Sequence, residues 1–478
     1  MSIRTRFAPS PTGFLHVGGI RTALFAYLVA KQADGQFILR LEDTDKKREV
    51  AGSSEHLIES LERLGIRANE GPLQGGPYGP YRQSERLEIY QAWARKLIDA
   101  GLAYADPYTP AELESLREQA KSQKRAFRYQ DHRPENPPAW DGSTPLRFKS
   151  SPKSYAYQDE VMGEVITHAD AVTDFVLIKS DGYPTYDFAH IVDDFEMKVS
   201  HVIRGQEFIS SMPKYLALYE ALGIPRPIFA HMPHIMNEQG NKKLGKRDGA
   251  KDVLDYIRDG YLPEALTSFI ATLGWNDGSE QEVFTADELV EKFSLDRIQR
   301  SGARFDEKRL LWVNGHFIRE LSLEELAERV ENFWPDSASN HDEDYRLRVL
   351  TLVQDRLKTL ADLPSLSSYF FEEPTVDLSL ITTNKQLKKL TSQQLTQLLT
   401  AAIQRLDATE QWDSLNIQDS LNQLLEDTGS KPGVLFSLIR IATTWSPFSP
   451  QLNYSLALLG KEAVLSRLNK SLDALVNN

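Results

Sequence analysis

The stretch that most constrains this chain is 6–19, RFAPSPTGFLHVGG, because of what flanks it. Pro9, Pro11 and Gly13 do not fit inside a helix or a central strand, so a short strand around 3–8 must give way to a turn. Residues 20–30, IRTALFAYLVA, are apolar, rich in Ala and Leu and free of breakers, which reads as a largely buried helix. Residues 36–42, QFILRLE, then have the content of a second strand. Strand, helix and strand at the start of a chain argue for an open parallel sheet, whose ligands lie outside the carboxyl ends of the strands. His16, Gly18 and Gly19 fall at or just before the helix N-terminus, where unpaired N–H groups and the positive end of the helix dipole favour a phosphate. By itself, HxGG is too short to separate such a site from an ordinary βα loop.

At 478 residues the chain exceeds what a single hydrophobic core supports, so several domains are expected. No run approaches the roughly 20 apolar residues that cross a bilayer, and MSIRTRFAPSP lacks the apolar core of a secretory signal, so a cytoplasmic protein is expected. The absence of cysteine excludes disulfides, thiolate nucleophiles and Cys-ligated zinc. A net charge of −13 argues against indiscriminate nucleic-acid binding while leaving room for a local basic surface.

Glu42 stands at the carboxyl end of the second strand and is a candidate site residue, whereas 43–45 read as a capping and turn cluster. An amphipathic helix follows at 53–64, with Leu57, Leu61 and Leu64 on one face, and another at 85–101, with Tyr90, Trp93 and Leu97 as core. From 104 to about 179 the texture changes to a charged helix, a Pro-rich basic stretch and strand-like LRFK, EVITH and DFVLIK. An insertion of this length is expected to form an α+β subdomain of its own. Residues 182–208 alternate strand-like segments with polar and aromatic residues, and Arg204 could offer a bidentate fork to a carboxylate, although a surface ion pair is the commoner meaning. Residues 241–249, NKKLGKRDG, place four cations in six residues beside two glycines, a composition suited to closing on a triphosphate and, read alone, equally to a generic anion or RNA patch. Beyond 321 only helical patterns occur, among them 345–363, 384–406, 417–425, 434–444 and 461–476, with a capping box at Ser322 and Glu325.

HVGG after a first strand, a KLxKR loop far downstream and a helical tail together resemble the class I aminoacyl-tRNA synthetases. RFAPSPTG, FILRLEDTD, GYPTYDFA, HVIRG, GYLPEAL, LLWVNGHFI and LLGKE narrow the resemblance to the bacterial glutamyl enzymes over essentially the whole chain. The fold this implies is an α/β Rossmann-type catalytic domain (1–83 and 191–250) with an α+β acceptor-arm insertion (84–190). A stem-contact domain (251–320) and an all-α anticodon-binding region (321–478) follow. The resemblance implies that His16, Gly18 and Gly19 hold ATP, with Glu207 near its ribose, and that Lys243, Lys246 and Arg247 belong to the mobile loop that stabilises the α-phosphate. It implies an amino-acid pocket made of Arg6, Ala8, Ser10, Glu42, Tyr186, His190 and Arg204, in which Glu42 pairs with the ammonium and arginine with carboxylate. ATP with Mg2+ is the expected co-substrate, and tRNA(Glu) and L-glutamate the partners. No membrane is expected as a partner, and the chain is expected to act as a monomer. The competing readings are an enzyme that also charges tRNA(Gln) and a non-catalytic synthetase-like RNA-binding protein.

Three departures stand out. Gly245 replaces the serine of the usual KLSKR, which adds backbone freedom and is expected to alter loop closure without abolishing activity. His190 stands where some relatives have Asn, and 104–108, YADPY, lacks the ligands of the zinc site found in some relatives, so no metal is expected there. Lys246→Ala is expected to slow adenylate formation at least tenfold, about 1.4 kcal/mol of transition-state stabilisation, as read by ATP–pyrophosphate exchange.

Overall fold

A computed structural model describes residues 2–245, 251–446 and 448–477. The expected opening unit is present as β1 (Arg4–Phe7), α1 (Val17–Gln32) and β2 (Gln36–Leu39). α1 is buried on nearly every side, packing on β1 and β2 below and on helices Pro263–Ala271 and Ala286–Lys292 above, which accounts for an apolar run with no polar stripe. α2 (Ser53–Arg63) and α3 (Leu87–Asp99) bury the faces their spacing marks, Leu57 and Leu61 in one, Tyr90, Trp93 and Leu97 in the other.

The remaining strands are β3 (Ala103–Ala105), β4 (Leu146–Phe148), β5 (Ala156–Asp159), β6 (Gly163–Ile166), β7 (Val176–Ile178), β8 (His201–Gly205), β9 (Ile228–Met232), β10 (Ile235–Met236) and β11 (Ala303–Arg304). Four of these join β1 and β2 in one six-stranded sheet of order β2-β1-β8-β9-β5-β6, parallel except for the β5–β6 hairpin. The strand order runs one way from β1 to β2 and the other way from β1 to β8, so the switch point lies between β1 and β8. β3, β4 and β7 make a separate antiparallel sheet.

One feature departs from the sequence expectation of a self-contained inserted subdomain. The β5–β6 hairpin, which lies within 84–190, is hydrogen-bonded to the central sheet beside β9. Two contacts dock it there: Tyr157 packs edge-on against Phe229 at 5.7 Å, and the buried Asp159 accepts the backbone N–H of His231 at 3.2 Å. β5 was not marked in the sequence because its short AYQD run is only half apolar.

Helix α4 (Pro110–Ser122) carries a capping box at Thr109 and Glu112, and α5 (Tyr186–Glu196) and α6 (Met212–Leu222) pack together beside the sheet.

The chain divides into two compact units, Met1–Tyr256 with Pro263–Glu307, and Ile257–Leu262 with Lys308–Asn478. The second unit contains helices and no strand among its described residues. Its helix Lys461–Val476 has the expected bounds, but the pattern over 345–363 breaks after Val353. A second capping box, Thr359 with Asp362, heads a 3-10 turn, Leu360–Asp362, that runs into a new helix at Leu363. Likewise the pattern over 384–406 starts only at Ser392, where Thr391 and Gln394 cap the helix. No helix of the described residues is long and apolar enough to cross a membrane.

Gly35 joins α1 to β2 at a point with no room for a side chain. Its N–H donates to Ala30 O at 2.8 Å and the next N–H to Ile3 O at 2.9 Å, so a Cβ here would fall on the Ile3 carbonyl. Gly35→Ala must push β1 and β2 apart and is expected to cost about 1–3 kcal/mol, seen as a lower thermal unfolding midpoint.

Candidate active site

A cavity of about 550 Å³ opens at the carboxyl ends of the parallel strands. Its walls come from the end of β1 and the turn after it, the N-terminus of α1, the residue that follows β2 by three positions, Tyr186 of α5, and the ends of β8 and β9. Among its lining residues are Arg6, Ala8, Ser10, His16, Gly18, Gly19, Glu42, Tyr186, Arg204, Glu207 and Lys243. The folding of β1 against β8 brings residues 6 and 204 to one wall although they are far apart in sequence.

The turn that follows β1 is closed by Thr12 N–H donating to Ser10 O at 2.8 Å. His16 then caps α1, its Nδ1 accepting the Gly18 N–H at 3.1 Å, so Nδ1 is bare and the ring proton is on Nε2. A Cβ on Gly19 would lie 2.7 Å from Leu15 Cδ1 and one on Gly18 3.2 Å from His16 Cε1. A side chain at either position would crowd the cap and make Leu15 or His16 give way. Glu207 is exposed and 3.6 Å from Lys243 Nζ, with His234 Nδ1 3.7 Å away on its other carboxylate oxygen. Lys243 is placed by the short hairpin in which Leu244 N–H donates to Ile235 O at 2.8 Å. Lys246 and Arg247 lie outside the described residues.

Behind the cavity is a buried ionic lattice. Asp194 of α5 receives Arg6 Nε at 3.2 Å and Arg40 Nη1 at 2.8 Å, and Arg40 Nη2 reaches Glu42 Oε1 at 2.9 Å. Asp193 is held by Arg86 Nε at 2.7 Å, Gln83 Nε2 at 2.8 Å and the Tyr90 hydroxyl at 2.8 Å. Burial alone would raise the Asp194 carboxyl, but Arg6 and Arg40 outweigh it and hold the group well below its ordinary range. For Glu42 the balance goes the other way: burial dominates, Arg40 only partly offsets it, and the carboxyl is pushed up to about 7. Its second oxygen, Oε2, is buried and accepts no hydrogen bond among the described residues.

Arg204 is electrically unlike Arg6. It is buried, yet among the described residues no carboxylate pairs with it. Its Nε donates to His231 Nε2 at 3.2 Å, its Nη1 is 3.4 Å from His190 Nε2, and its Nη2 meets Met212 Sδ at 3.0 Å. The rings of Tyr215 and Phe208 lie 4.8 and 5.0 Å from the guanidinium carbon. His190 does not line the cavity but backs it, stacked on Tyr186 at 4.8 Å, and burial followed by the neighbouring Arg204 lowers its imidazole to about 3. His190 is therefore neutral.

Arg40, Asp193, Asp194, Arg86, His231 and Arg21 were not marked as site residues by the sequence. Arg21 lines the cavity from α1, donating to Leu273 O at 3.0 Å and to Pro233 O, and burial lowers its guanidinium to about 10. A signal did exist for Arg40, a lone charge inside the apolar run FILRL, since a charge in a buried strand implies a buried partner. At 104–108, Asp106 accepts from the Tyr129 hydroxyl at 2.5 Å and from Arg147 Nε at 2.6 Å. Among the described residues no group of three or more His, Asp or Glu side chains could hold a metal ion.

Residues 2–312 match the family described as tRNA synthetases class I (E and Q), catalytic domain, and residues 325–472 match an anticodon binding domain. The chain belongs to the class I tRNA synthetases. Similar curated proteins include the glutamate–tRNA ligase of Chloroflexus aurantiacus, 40% identical over 99% of this chain and 98% of the relative, and that of Clostridium tetani, 39% identical with the same coverage. Among solved structures, a glutamate–tRNA ligase of Elizabethkingia meningosepticum in complex with its amino acid superposes with a TM-score of 0.87 at 32% identity. The match covers 99% of this chain and 100% of that one.

The raised Glu42 sets a pH dependence for the ligand-free synthetase. A carboxyl whose folded pKa lies above its unfolded value contributes stability that is complete below about 4.5 and is lost as pH rises through about 7. Glu42→Gln removes this contribution, so the variant should gain thermal stability relative to the parent between pH 5 and pH 8. A difference that stays constant across that window would contradict the assignment.

Proposed function

We propose that this synthetase activates L-glutamate with ATP and Mg2+ and transfers it to the 3′ end of tRNA(Glu). The observation that carries the reading is the pairing of two incomplete charges on one cavity: buried Arg204, which pairs with no carboxylate among the described residues, and Glu42, whose Oε2 accepts no hydrogen bond among them. A buried charge left uncompensated is costly, and an amino acid supplies both missing partners, a carboxylate for Arg204 and an ammonium for Glu42. Glutamate brings a second carboxylate, which suits Arg6, whose Nη groups retain donors beyond the bonds to Asp194 and Ile203 O. Ala8, Ser10, Tyr186 and, from behind, His190 complete that end of the pocket.

On this reading the N-terminus of α1, with His16, Gly18 and Gly19, receives the phosphates of ATP, and Glu207 lies toward the ribose. The α-carboxylate oxygen of glutamate attacks the α-phosphorus, a mixed anhydride forms and pyrophosphate leaves, with Lys243, Lys246 and Arg247 neutralising the charge that develops. A ribose hydroxyl at the tRNA end then attacks the glutamyl carbonyl and releases AMP. No enzyme nucleophile is needed, and catalysis is by positioning. The RNA is taken by 84–190 at the acceptor arm, 251–320 along the stem and 321–478 at the anticodon, and the enzyme acts as a cytoplasmic monomer.

Glutamate-dependent ATP–pyrophosphate exchange, run with and without tRNA, tests the activity. Exchange in neither condition would favour the non-catalytic RNA-binding reading. Arg204→Gln is expected to raise the KM for glutamate at least tenfold while the KM for ATP stays within twofold. An unchanged glutamate KM would remove Arg204 from the pocket.

A further inference from the structure

Arg204 is held by neutral acceptors, and one of them is itself held by a buried carboxylate. His231 on β9 and Asp159 on β5 are both fully buried. Asp159 Oδ1 accepts three backbone N–H groups, from Val161 at 3.0 Å, Met162 at 2.9 Å and His231 at 3.2 Å. Its Oδ2 is 2.5 Å from His231 Nδ1. The carboxylate is an acceptor only, so Nδ1 carries the ring proton and Nε2 is a bare lone pair. Arg204 Nε donates to that lone pair at 3.2 Å.

We propose that Asp159 and His231 form a relay that positions Arg204: the carboxylate fixes the imidazole tautomer, and the imidazole fixes the guanidinium without neutralising it. This rests on the reading that Arg204 meets a substrate carboxylate. A carboxylate in direct contact would orient the arginine equally well but would compete with the substrate for it. An imidazole holds the same N–H and leaves the positive charge for the cavity. Burial, which raises Asp159, is outweighed by the bond from the His231 ring together with the backbone N–H groups the carboxylate accepts, so the acid stays ionised. His231 is lowered by burial despite Asp159, so the ring stays neutral.

The chemistry of Asp159 supplies a nearly isosteric test. In Asp159→Asn the amide oxygen is claimed by the three backbone N–H groups, which turns the NH2 toward His231 Nδ1. The imidazole must then move its proton to Nε2, where an N–H faces the Arg204 N–H. The glutamate KM in pyrophosphate exchange is expected to rise at least tenfold and the ATP KM to stay within twofold. The 15N shifts of histidine-labelled full-length protein should show the His231 proton moving from Nδ1 to Nε2. The double variant Asp159→Asn with His231→Gln, which returns an acceptor oxygen to Arg204, should recover glutamate KM to within about threefold of the parent.

A moved proton with an unchanged glutamate KM overturns the relay, as does a proton that stays on Nδ1. A parallel rise of both KM values with a lower melting point and no recovery in the double variant assigns the pair a merely structural role. If Arg204→Gln itself leaves the glutamate KM unaltered, the reading of the pocket fails. If Arg204→Gln raises it and Asp159→Asn does not, only the relay fails.

Discussion

The first unit depends on two consecutive carboxylates, Asp193 and Asp194, buried at the end of α5. Neighbours on a helix point in different directions, so the two acids share only Arg40 and otherwise serve different partners. Asp193 ties α5 to the segment that opens α3, through Arg86, Gln83 and Tyr90. Asp194 ties it to β1 through Arg6 and to the end of β2 through Arg40. Breaking one partner of a buried pair costs about 3–5 kcal/mol because the other charge is stranded. The lattice thus makes the sheet, α3 and α5 conditional on one another, and it does so directly beneath the cavity.

The lattice also explains the electrostatics of the site. Arg6, Arg40 and Arg86 face Asp193, Asp194 and Glu42, which is a balance of three and three only when Glu42 is ionised. Glu42 is the member that burial keeps close to neutrality, and its buried Oε2 accepts no hydrogen bond among the described residues. Arg204 stands outside the balance, surrounded by two imidazoles, a thioether and two aromatic rings. Arg204 and Glu42 thus offer the pocket a cation with no carboxylate partner among the described residues and a carboxyl close to ionisation, a pair that a zwitterion would complete.

Much of this was legible in the sequence, and the limits have physical causes. The βαβ opening and the places of Arg6, His16, Glu42, Arg204 and Lys243 followed from turn residues, strand ends and the family resemblance, and all five line one cavity. The residues that hold them were not legible, because Arg40 finds Asp194 across 154 positions and Asp159 finds His231 across 72, and no local period encodes such a pair. Helix ends erred where a capping residue interrupted a continuing apolar pattern, as at Thr391, since the cap competes with the period and wins. β5 was missed because its strand character comes from pairing with β9 and β6 more than from its own four residues.

The placement of the β5–β6 hairpin has a mechanical meaning. The segment between α3 and α5 is covalently continuous with a strand of the central sheet, and that strand carries the carboxylate two hydrogen bonds from Arg204. A lesion or a load anywhere that shifts this hairpin is converted into a change of angle at one guanidinium. On the proposed reading of the pocket, damage to a part of the molecule remote from the cavity would then be recorded as poor amino-acid affinity.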